Sequence, residues 1–419
     1  MKYKTYNCNS FNIYTIKTDR FKTSHLEVIF KNVLKKEEIG TYSFLADILS
    51  EGCKKYPRKK DLITRFEELY KIVIYASTMR VGNVIDLHVS LDFINPEYID
   101  DEGYIEDVIK TLFEVINNPN VCNDEFDLKT FNIVKERLRR EINSLKENPV
   151  KQSIKEAIKT MDSNSPTSYE ILGTIEELEN ITPAKLYDAY KCLRKNFKVD
   201  VFLIGNLDMD NVASLIKKYF KNRYIVSDNF EVMVDNKETK KVKVKAMKSD
   251  NIQTNLVMLF NLKNLSELEK NITLNCFNYL YGSGGLTSKL YKSIREENSL
   301  CYAINSMYLK YDKLLMVQIS LDNCNVKKAI SLVKKELKSM QNGNFSEEEV
   351  KDAINNMVIS LDMSLDNNIA ILNNYVFNIY DKLPSIEERK EYFKKLTKED
   401  IVNVSKKVKL NTIFTLEGR

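Results

Sequence analysis

The sequence predicts an α+β fold with two homologous domains, each a mixed or antiparallel sheet with helices packed on one face. The first observation is that strand-like segments lie near the start and the end of each half of the chain and flank long helical segments. The second is that this order of elements repeats after roughly 200 residues. With 419 residues, the chain is long for one domain and sufficient for two.

The first half begins with strand-like segments at 12–18 and 26–30, followed by an apolar helix at 43–49, a basic turn and an amphipathic helix. From 85 to 93 every second residue is apolar, which predicts a half-buried strand. Helical periodicity then covers 105–117 and 124–159, and Thr182-Pro183 predicts an N-cap followed by a helix. The apolar segment 199–205 predicts the buried strand that ends this half.

The second half repeats these elements in the same order. Segments 87–92 and 316–322 both end in Ser-Leu-Asp, and Thr397 precedes a helical segment as Thr182 does. A capping-box pattern at Ser346 predicts a helix start that corresponds to one predicted at Asn123 and Asp124. We therefore expect an N-terminal domain at 1–220, a linker without helical periodicity at 221–242, and a C-terminal domain at 243–419.

Composition excludes several classes of protein. Hydrophobic residues make up 43% and charged residues 29%, which is typical of a soluble protein with a large core. The net charge of +5 is spread along the chain, and the basic segments 58–60 and 240–248 are interpreted as solvated surface, so no nucleic-acid partner is expected. No segment predicts a signal peptide or a transmembrane helix, so no membrane partner is expected. Seven scattered cysteines predict reduced thiols and a cytoplasmic location.

The segment 281–306, YGSGGLTSKLYKSIREENSLCYAINS, combines a glycine-rich turn, a helix and a strand. The turn is not a phosphate loop, because no apolar strand precedes it and no Gly-Lys-Ser/Thr ends it. The apolar spacing predicts a helix that begins at Leu286, leaves Ser288 facing outward and ends near Arg295. Alternating apolar residues then predict a strand that begins with Tyr302, seven residues after Arg295.

Arg295 and Tyr302 admit two interpretations. A guanidinium with five donors and a phenol that can donate or accept together suit the carbonyl groups of an extended peptide. Alternatively, an arginine in the last turn of a helix stabilises the helix dipole, and tyrosine is an ordinary strand residue. The residues by themselves leave both interpretations open.

The chain resembles the pitrilysin/insulinase zinc metallopeptidase superfamily, which includes the mitochondrial processing peptidases. The resemblance is to the second-domain signature of that superfamily and lies in segments 286–291, 294–296 and 299–302. In that signature a small-residue turn and Ser-x-Leu precede an Arg and a Tyr seven residues further on. The resemblance implies that Arg295 and Tyr302 are substrate-binding residues. It also implies two peptidase-like domains per subunit, in agreement with the repeat.

Active members of this superfamily carry His-x-x-Glu-His on an early helix, where two imidazoles bind zinc and the glutamate acts as general base. The matching helix here places Ser43 and Asp47 at the ligand positions and Ala46 at the position of the base. Glu141 on a later helix is a candidate for the family's third ligand, but a glutamate beside two arginines is better explained by a surface ion pair. We expect no catalytic residue, no metal and no cofactor.

No other catalytic site is predicted. His25 and His88 each lie in a predicted strand and are interpreted as hydrogen-bonded strand residues rather than ligands, and no Cys/His cluster or Gly-x-Ser-x-Gly motif is present. Small members of the superfamily commonly form heterodimers in which one subunit supplies the zinc motif and the other the Arg–Tyr pair. The resemblance therefore implies a non-catalytic subunit that binds extended peptide and completes the chamber of a zinc-bearing homologous partner. The alternative is a structural or assembly scaffold of the same fold.

Overall fold

The computed structural model describes residues 3–222, 224–227 and 229–419. The elements of the first half are, in order, β1 (Tyr3–Asn7), β2 (Phe11–Lys17), β3 (Thr23–Val33), α1 (Ile39–Leu49), α2 (Lys59–Glu68), β4 (Val73–Val81), β5 (Val84–Ile94), α3 (Tyr104–Asn117), β6 (Val121–Cys122), β7 (Glu125–Phe126), α4 (Leu128–Glu147), α5 (Pro149–Asp162), α6 (Ile175–Glu179), α7 (Pro183–Asn196), β8 (Lys198–Gly205) and α8 (Met209–Tyr219).

The elements of the second half follow after the segment predicted as a linker. They are β9 (Lys243–Lys248), β10 (Thr254–Leu262), α9 (Leu274–Asn278), β11 (Cys301–Leu309), β12 (Leu314–Leu321), α10 (Val326–Gln341), α11 (Glu347–Ser364), α12 (Asn368–Asp381), α13 (Ile386–Lys394), α14 (Lys398–Ser405) and β13 (Val408–Glu417). Within the described part of the chain, none of the helices combines the length and the apolar character needed to cross a bilayer.

The two main sheets share one topology. The first has the strand order β1-β2-β8-β3-β5-β4 and the second the order β11-β12-β10-β13-β9. In the first sheet β2 and β8 pair in parallel, in the second β13 and β9 do, and the other neighbours are antiparallel. Strands β2-β8-β3-β5-β4 therefore match β9-β13-β10-β12-β11 one by one. This confirms the predicted α+β fold with mixed sheets.

The chain forms two compact units whose limits differ from the contiguous domains predicted from the sequence. The first unit contains residues up to 143, 169–232 and 367–379, and the second contains 144–168, 233–366 and 380–419. The difference has a physical reason, because α5 buries Ala157 and Met161 against the second sheet, whereas residues 367–379 pack within the first unit. Two helical segments are therefore exchanged between the halves.

The first unit has its main apolar cluster on one face of its sheet. Alternate residues of β3, β5 and β8 point to this face and pack against side chains of α1, α3, α7 and α8. Phe220, just after α8, stacks its ring on Phe113 of α3 with the centroids 4.9 Å apart. The alternation that predicts a strand at 85–93 therefore selects the correct core residues, and the apolar segment 199–205 forms the buried strand β8.

The opposite face of β3, β5 and β8 is also buried, although the sequence predicts a strand at 85–93 with one polar, exposed face. Lys31 Nζ lies 2.5 Å from Asp200 Oδ2, and both side chains are fully buried. His88 Nδ1 donates to Glu27 Oε1 at 2.8 Å, and Ser90 Oγ donates to the same oxygen at 3.2 Å. Burial of these charges is compatible with folding because each has an opposite charge or a hydrogen-bond partner.

Replacing Glu27 by glutamine should destabilise the first unit most between about pH 4.5 and pH 6.5. Burial alone lowers the pKa of His88, but its hydrogen bond to Glu27 and the charge of Glu27 raise it above the ordinary value. Burial alone raises the pKa of Glu27, but the hydrogen bond and charge of His88 lower it below the ordinary value. The contribution of His88 to the unfolding free energy is fully present below the pKa that histidine has in the unfolded chain. It is lost as the pH rises through the pKa of His88 in the folded protein. The contribution of Glu27 is fully present above the pKa that glutamate has in the unfolded chain. It is lost as the pH falls through the pKa of Glu27 in the folded protein.

Urea unfolding of the wild type and of Glu27→Gln between about pH 4 and about pH 9 measures this dependence. The difference in unfolding free energy should be largest inside the window and smaller at the alkaline end, where His88 is neutral. His88→Gln is the matched variant and should give the same profile. A difference that stays constant over the whole range would contradict the assignment.

The second unit has apolar clusters on both faces of its sheet. One face of β10 and β12 packs against α9, α10, α11 and α14, with Leu256, Met258 and Phe260 at its centre. The other face packs against α5 through Val257, Leu259 and Phe414. The sheet of this unit is therefore apolar on both sides, unlike that of the first unit.

Several helix starts are as predicted, whereas the one predicted at Asn123 and Asp124 is not. Thr182, Ser346 and Thr397 each accept a hydrogen bond from the backbone nitrogen three residues further on, as N-caps do. The helix predicted at 124–159 is instead a β6–β7 hairpin followed by α4 and α5. Asn123 and Asp124 form the turn of the hairpin with φ of 50° and 60°. Asn148 separates the helices and caps α5, which begins at Pro149. Asparagine and aspartate tolerate this left-handed conformation, so the same residues suit a hairpin turn as well as a helix start.

Candidate functional site

Helix α1 carries Ser43, Ala46 and Asp47, the residues that the sequence resemblance places at the ligand and base positions of the zinc motif. Ser43 is buried on this helix, and its hydroxyl lies 2.7 Å from Thr78 Oγ1 of β4 and donates to the backbone carbonyl of Ile171. Ala46 is buried in the apolar cluster of the first unit. The hydroxyl at the first ligand position is therefore used for packing α1 against its neighbours, and the position of the general base carries a methyl group.

Asp47, at the second ligand position, forms an ion pair with Arg137 of α4. The distance from Arg137 Nη2 to Asp47 Oδ2 is 3.2 Å, and Arg137 Nη1 donates to Glu51 Oε1 at 2.7 Å. Burial raises the pKa of Asp47, and the positive charge of Arg137 opposes this shift. The guanidinium thus balances the carboxylate of Asp47 on α1 and that of Glu51 just after this helix. Glu141, the sequence-based candidate for a third ligand, lies one turn further along α4 with an exposed side chain.

These residues do not fit a zinc ion. A structural or catalytic zinc site needs three or four nitrogen, sulfur or carboxylate donors, whereas the two positions on α1 supply one hydroxyl and one carboxylate that is bound to a guanidinium. Across the described ranges, no group of three or more His, Cys, Asp and Glu side chains is arranged to hold a metal ion. His25 and His88 are bound to Asp92 and Glu27 in the first sheet, which agrees with their interpretation as strand residues.

We expect the purified chain to bind far less than one equivalent of zinc and to cleave no peptide by itself. The reason is the donor set of Ser43, Ala46 and Asp47, which lacks both imidazoles and the base. Metal analysis after purification without chelators, together with a peptide cleavage assay, tests this. One equivalent of zinc with activity that chelation removes would contradict it.

Arg137 provides a matched control for that measurement. Restoring the ligands with Ser43→His, Ala46→Glu and Asp47→His leaves a fixed positive charge next to residue 47, which repels a divalent cation. Zinc affinity should therefore rise when Arg137→Gln is added to this triple variant. Equal zinc affinity with and without Arg137→Gln would show that the guanidinium does not affect the metal position.

The glycine-rich turn brings the second candidate site close to β11. A Cβ at Gly282 would lie 2.6 Å from Ser306 Oγ and 2.8 Å from Leu290 Cδ1, so only glycine fits between them. Gly285 has φ of +58°, a conformation that favours glycine. Gly282 therefore allows the turn to pack directly against the strand, and Gly285 supplies the left-handed residue of the turn.

The helix predicted from Leu286 begins later than expected. Leu286 lies in a 3-10 turn and is 64% exposed, whereas Ser288, predicted to face outward, is fully buried. Ser288 Oγ accepts a hydrogen bond from Tyr291 N, so this serine acts as the cap of the helix. Apolar spacing alone cannot show which polar residue caps the helix, and this is the reason for the error.

Arg295 lies in the π-helical turn Tyr291–Glu296 and is exposed. Its Cζ is 5.0 Å from the centroid of the Tyr291 ring, a cation–π contact that fixes the guanidinium over the aromatic face. Leu300 N donates to Ile294 O at 3.0 Å, and Ser299 adopts φ of 51°, so the chain turns directly from this helix into β11. π-Helical turns often occur at functional sites.

Tyr302 lies at the start of β11, the edge strand of the second sheet. Cys301 pairs with Leu321 and Ala303 with Ser320, so Tyr302 is the extra residue of a β-bulge. Its ring is 54% exposed, and its hydroxyl donates to Asp322 Oδ1 at 3.2 Å. This hydrogen bond and the charge of Asp322 raise the pKa of Tyr302. The bulge directs the phenol away from the core.

Arg295 and Tyr302 lie near the same end of β11. The backbone hydrogen bond from Leu300 to Ile294 joins the helix end that carries Arg295 to the residues just before Tyr302. Burial raises the pKa of the Cys301 thiol, and the positive charge of Arg295 opposes this shift. Two residues that contact them, Tyr291 and Asp322, were not predicted from the sequence. Tyr291 precedes Arg295 by four residues on the helix, a spacing at which side chains contact each other. Asp322 ends the repeated Ser-Leu-Asp motif. Both features are visible in the sequence, but neither by itself indicates a contact with Arg295 or Tyr302.

A protein-family model matches the middle of the chain, from just before α7 to within α11. Residues 180–357 match the model described as the Peptidase M16 inactive domain. This range includes the glycine-rich turn, Arg295, Tyr302 and Asp322. The region with the Arg–Tyr pair is therefore similar to a domain that is described as inactive.

Individual relatives match over nearly the whole chain. This chain is 26% identical to the probable inactive metalloprotease YmfF of Bacillus subtilis (strain 168) over 412 residues. The aligned region covers 96% of this chain and 95% of that protein. A conserved protein from Enterococcus faecalis V583 has a similar structure with a TM-score of 0.94 and 22% identity, covering 100% of this chain and 99% of the other. The peptidase M16 inactive domain from Pseudomonas fluorescens gives a TM-score of 0.82 at 16% identity, with 100% and 99% covered. These two structures show the same fold.

Proposed function

Because this chain is an inactive homologue of the M16 peptidases, the pitrilysin/insulinase superfamily, we propose that it is the non-catalytic subunit of a two-subunit zinc peptidase. In this proposal a homologous partner supplies the zinc site, and this chain binds the extended peptide substrate and completes the partner's chamber. One contrast carries the proposal. The first half has lost its zinc donors, whereas the second half keeps Arg295 and Tyr302 exposed at the start of an edge strand.

The chemistry of β11 supports peptide binding. An edge strand has a row of backbone N–H and C=O groups without a partner strand, and an extended peptide can pair with such a row. Arg295 adds fixed N–H donors for a carbonyl or carboxylate at the beginning of that row. The bulge at Tyr302 limits regular pairing to the part of the strand that follows it. A peptide bound along β11 would therefore pass Arg295 and Tyr302 at one end.

The proposed partner is a zinc-bearing peptidase of the same fold in the same compartment, which we take to be the cytoplasm. No nucleic acid or membrane is part of the proposal, since the net charge of +5 is spread over 419 residues. A homologue with His-x-x-Glu-His in the same organism, encoded near this chain, is the first partner to test.

Reconstitution with such a homologue tests the proposed function. The two purified chains should form a stable complex, and this complex should cleave unstructured peptides at least tenfold faster than the zinc-bearing chain alone, with activity lost on chelation. A stable complex without any gain in cleavage would instead support the scaffold function. Failure of every zinc-bearing homologue of the organism to bind this chain would overturn the proposal.

A further inference from the structure

Asp322 contacts Tyr302 with a carboxylate that has no role in capping the following helix. It lies just after β12 and before the 3-10 turn Asn323–Asn325 that leads into α10. Aspartate at such a position ordinarily accepts a backbone N–H with its side chain. Here the backbone carbonyl of Asp322 accepts from Asn325 N at 3.0 Å, and its carboxylate, which makes no capping bond, accepts from Tyr302. The carboxylate is therefore directed to the candidate site.

The hydrogen bond between Tyr302 and Asp322 determines what the phenol can offer a ligand. An ionised carboxylate only accepts hydrogen bonds, so the single proton of the Tyr302 hydroxyl points to Asp322. The exposed lone pairs of the phenol oxygen are then acceptors. A peptide carbonyl, which is also an acceptor, gains nothing from them in this arrangement, whereas an N–H or an ammonium group does.

The two ends of the site thus have opposite character. At one end Arg295 offers donors and a positive charge, and its guanidinium is held over the Tyr291 ring. At the other end the phenol oxygen and the exposed carboxylate of Asp322 offer acceptors and a negative charge. Lys292, a neighbouring cation, lies 3.7 Å from Glu349, so its charge is balanced elsewhere. A ligand with a carbonyl near Arg295 and a cation near Tyr302 would match both ends.

The internal repeat contains a second aspartate at the same position of the Ser-Leu-Asp motif, and this aspartate accepts a hydrogen bond from a nitrogen atom. Asp92 ends the Ser-Leu-Asp motif of the first half, and its Oδ1 lies 2.7 Å from His25 Nδ1. Because the carboxylate accepts, the imidazole nitrogen donates. The motif aspartate of the first unit, which lies two residues before the end of β5, therefore binds an N–H group of the neighbouring strand β3. In the second unit the equivalent carboxylate is exposed.

We propose that Asp322 is a specificity-determining residue that selects peptides with a cationic group, a lysine or arginine side chain or a free α-amino group, next to Tyr302. This rests on the proposed function, since it assigns a substrate class to the same peptide site. Arg295 binds the peptide backbone whatever its sequence, and Asp322 together with the Tyr302 oxygen recognises the cation.

Fluorescence anisotropy with unstructured decapeptides of Ala, Ser, Thr and Val tests the proposal on the full chain. One position in turn carries lysine, norleucine or glutamate, and each peptide is made with a free and an acetylated N-terminus. We expect lysine to bind about tenfold tighter than norleucine at one or two adjacent positions, with glutamate weakest. If the α-amino group is the recognised cation, the preference will follow the free N-terminus instead of the lysine.

The variants separate specificity from general binding. Asp322→Asn should reduce the affinity for the lysine peptide to that of the norleucine peptide and leave the norleucine peptide unchanged. Arg295→Ala should weaken all peptides equally. Asp250→Asn, an exposed aspartate elsewhere in the second unit, is the matched control and should leave the lysine preference intact. Melting temperatures of all variants show whether each one is folded.

Two outcomes overturn the inference, and they differ in what they say about the proposed function. If Asp322→Asn weakens the lysine and norleucine peptides equally, or if no peptide with a cation is preferred, Asp322 does not determine specificity, and the proposed function still stands. If no peptide binds, or if Arg295→Ala has no effect on any of them, the peptide site itself is wrong and the inference fails with it.

Discussion

Replacing Lys31 by methionine should reduce the stability of the first unit by about 3–5 kcal/mol, a large part of the stability of an ordinary domain. The ammonium group of Lys31 lies 2.5 Å from Asp200 Oδ2, and the two residues are 1% and 0% exposed. Methionine fills a similar volume but leaves the carboxylate of Asp200 buried without its counter-ion. The unpaired charge, rather than the loss of packing, is the reason for the large effect. Urea unfolding monitored by circular dichroism measures it.

The double variant Lys31→Met with Asp200→Leu is the control for this interpretation. Removing both charges also removes the desolvation penalty of each, so the double variant should recover most of the lost stability. Lys4→Met breaks the exposed ion pair between Lys4 and Asp210 and should change the unfolding midpoint far less. A double variant as unstable as Lys31→Met would show that the pair stabilises the fold through side-chain packing and not through its charges.

Strand alternation predicted which residues share a face but not what covers that face. The segment 85–93 shows apolar and polar residues in turn, and the apolar set does form the core of the first unit. Asp86 and His88 of the polar set are buried as well. Glu27, the partner of His88, lies on β3, far away in the sequence, and Lys31 of β3 pairs with Asp200 of β8. Pairing of buried charges across a sheet is therefore invisible in a local pattern.

The candidate site shows the same limit at longer range. The spacing of Arg295 and Tyr302 and the loss of the zinc donors could be seen in the sequence, because each depends on residue types within a short segment. The ion pair of Arg137 with Asp47 could not, because it joins α4 to α1. The contact of Tyr302 with Asp322 likewise depends on the pairing of β11 with β12. Side chains that support a site often come from neighbouring strands, and the sequence predicts these only once the strand order is known.

Two helical segments, α5 and residues 367–379, belong to the compact unit of the other half of the sequence. A local sequence pattern could not predict this. Periodicity predicts that 149–162 is a helix with an apolar side, but it does not specify which sheet that side contacts. Ala157 and Met161 pack on the second sheet, although they belong to the first half of the sequence. Contiguous domain limits derived from the repeat therefore describe the order of the elements better than they describe the compact units.

Arg295→Ala should lower kcat/KM of the reconstituted complex by about tenfold to hundredfold, the effect of losing one charge-assisted hydrogen bond to the substrate. The side chain is exposed, and its contact with Tyr291 is a surface contact, so folding and partner binding should remain nearly intact. Tyr302→Phe keeps the ring and removes only the hydroxyl that contacts Asp322, and it should lower kcat/KM by a smaller factor.

The control and the contrary result follow from the two interpretations of Arg295 and Tyr302. Arg295→Lys keeps the positive charge but loses the planar set of donors, so its activity should lie between that of Arg295→Ala and the wild type. If the two residues only stabilise the helix end and the strand, the variants will melt at lower temperature and each folded complex will turn over substrate at the wild-type rate. Turnover and melting temperature measured on the same preparations distinguish these results. Wild-type kcat/KM in both Arg295→Ala and Tyr302→Phe would remove the pair from the substrate site.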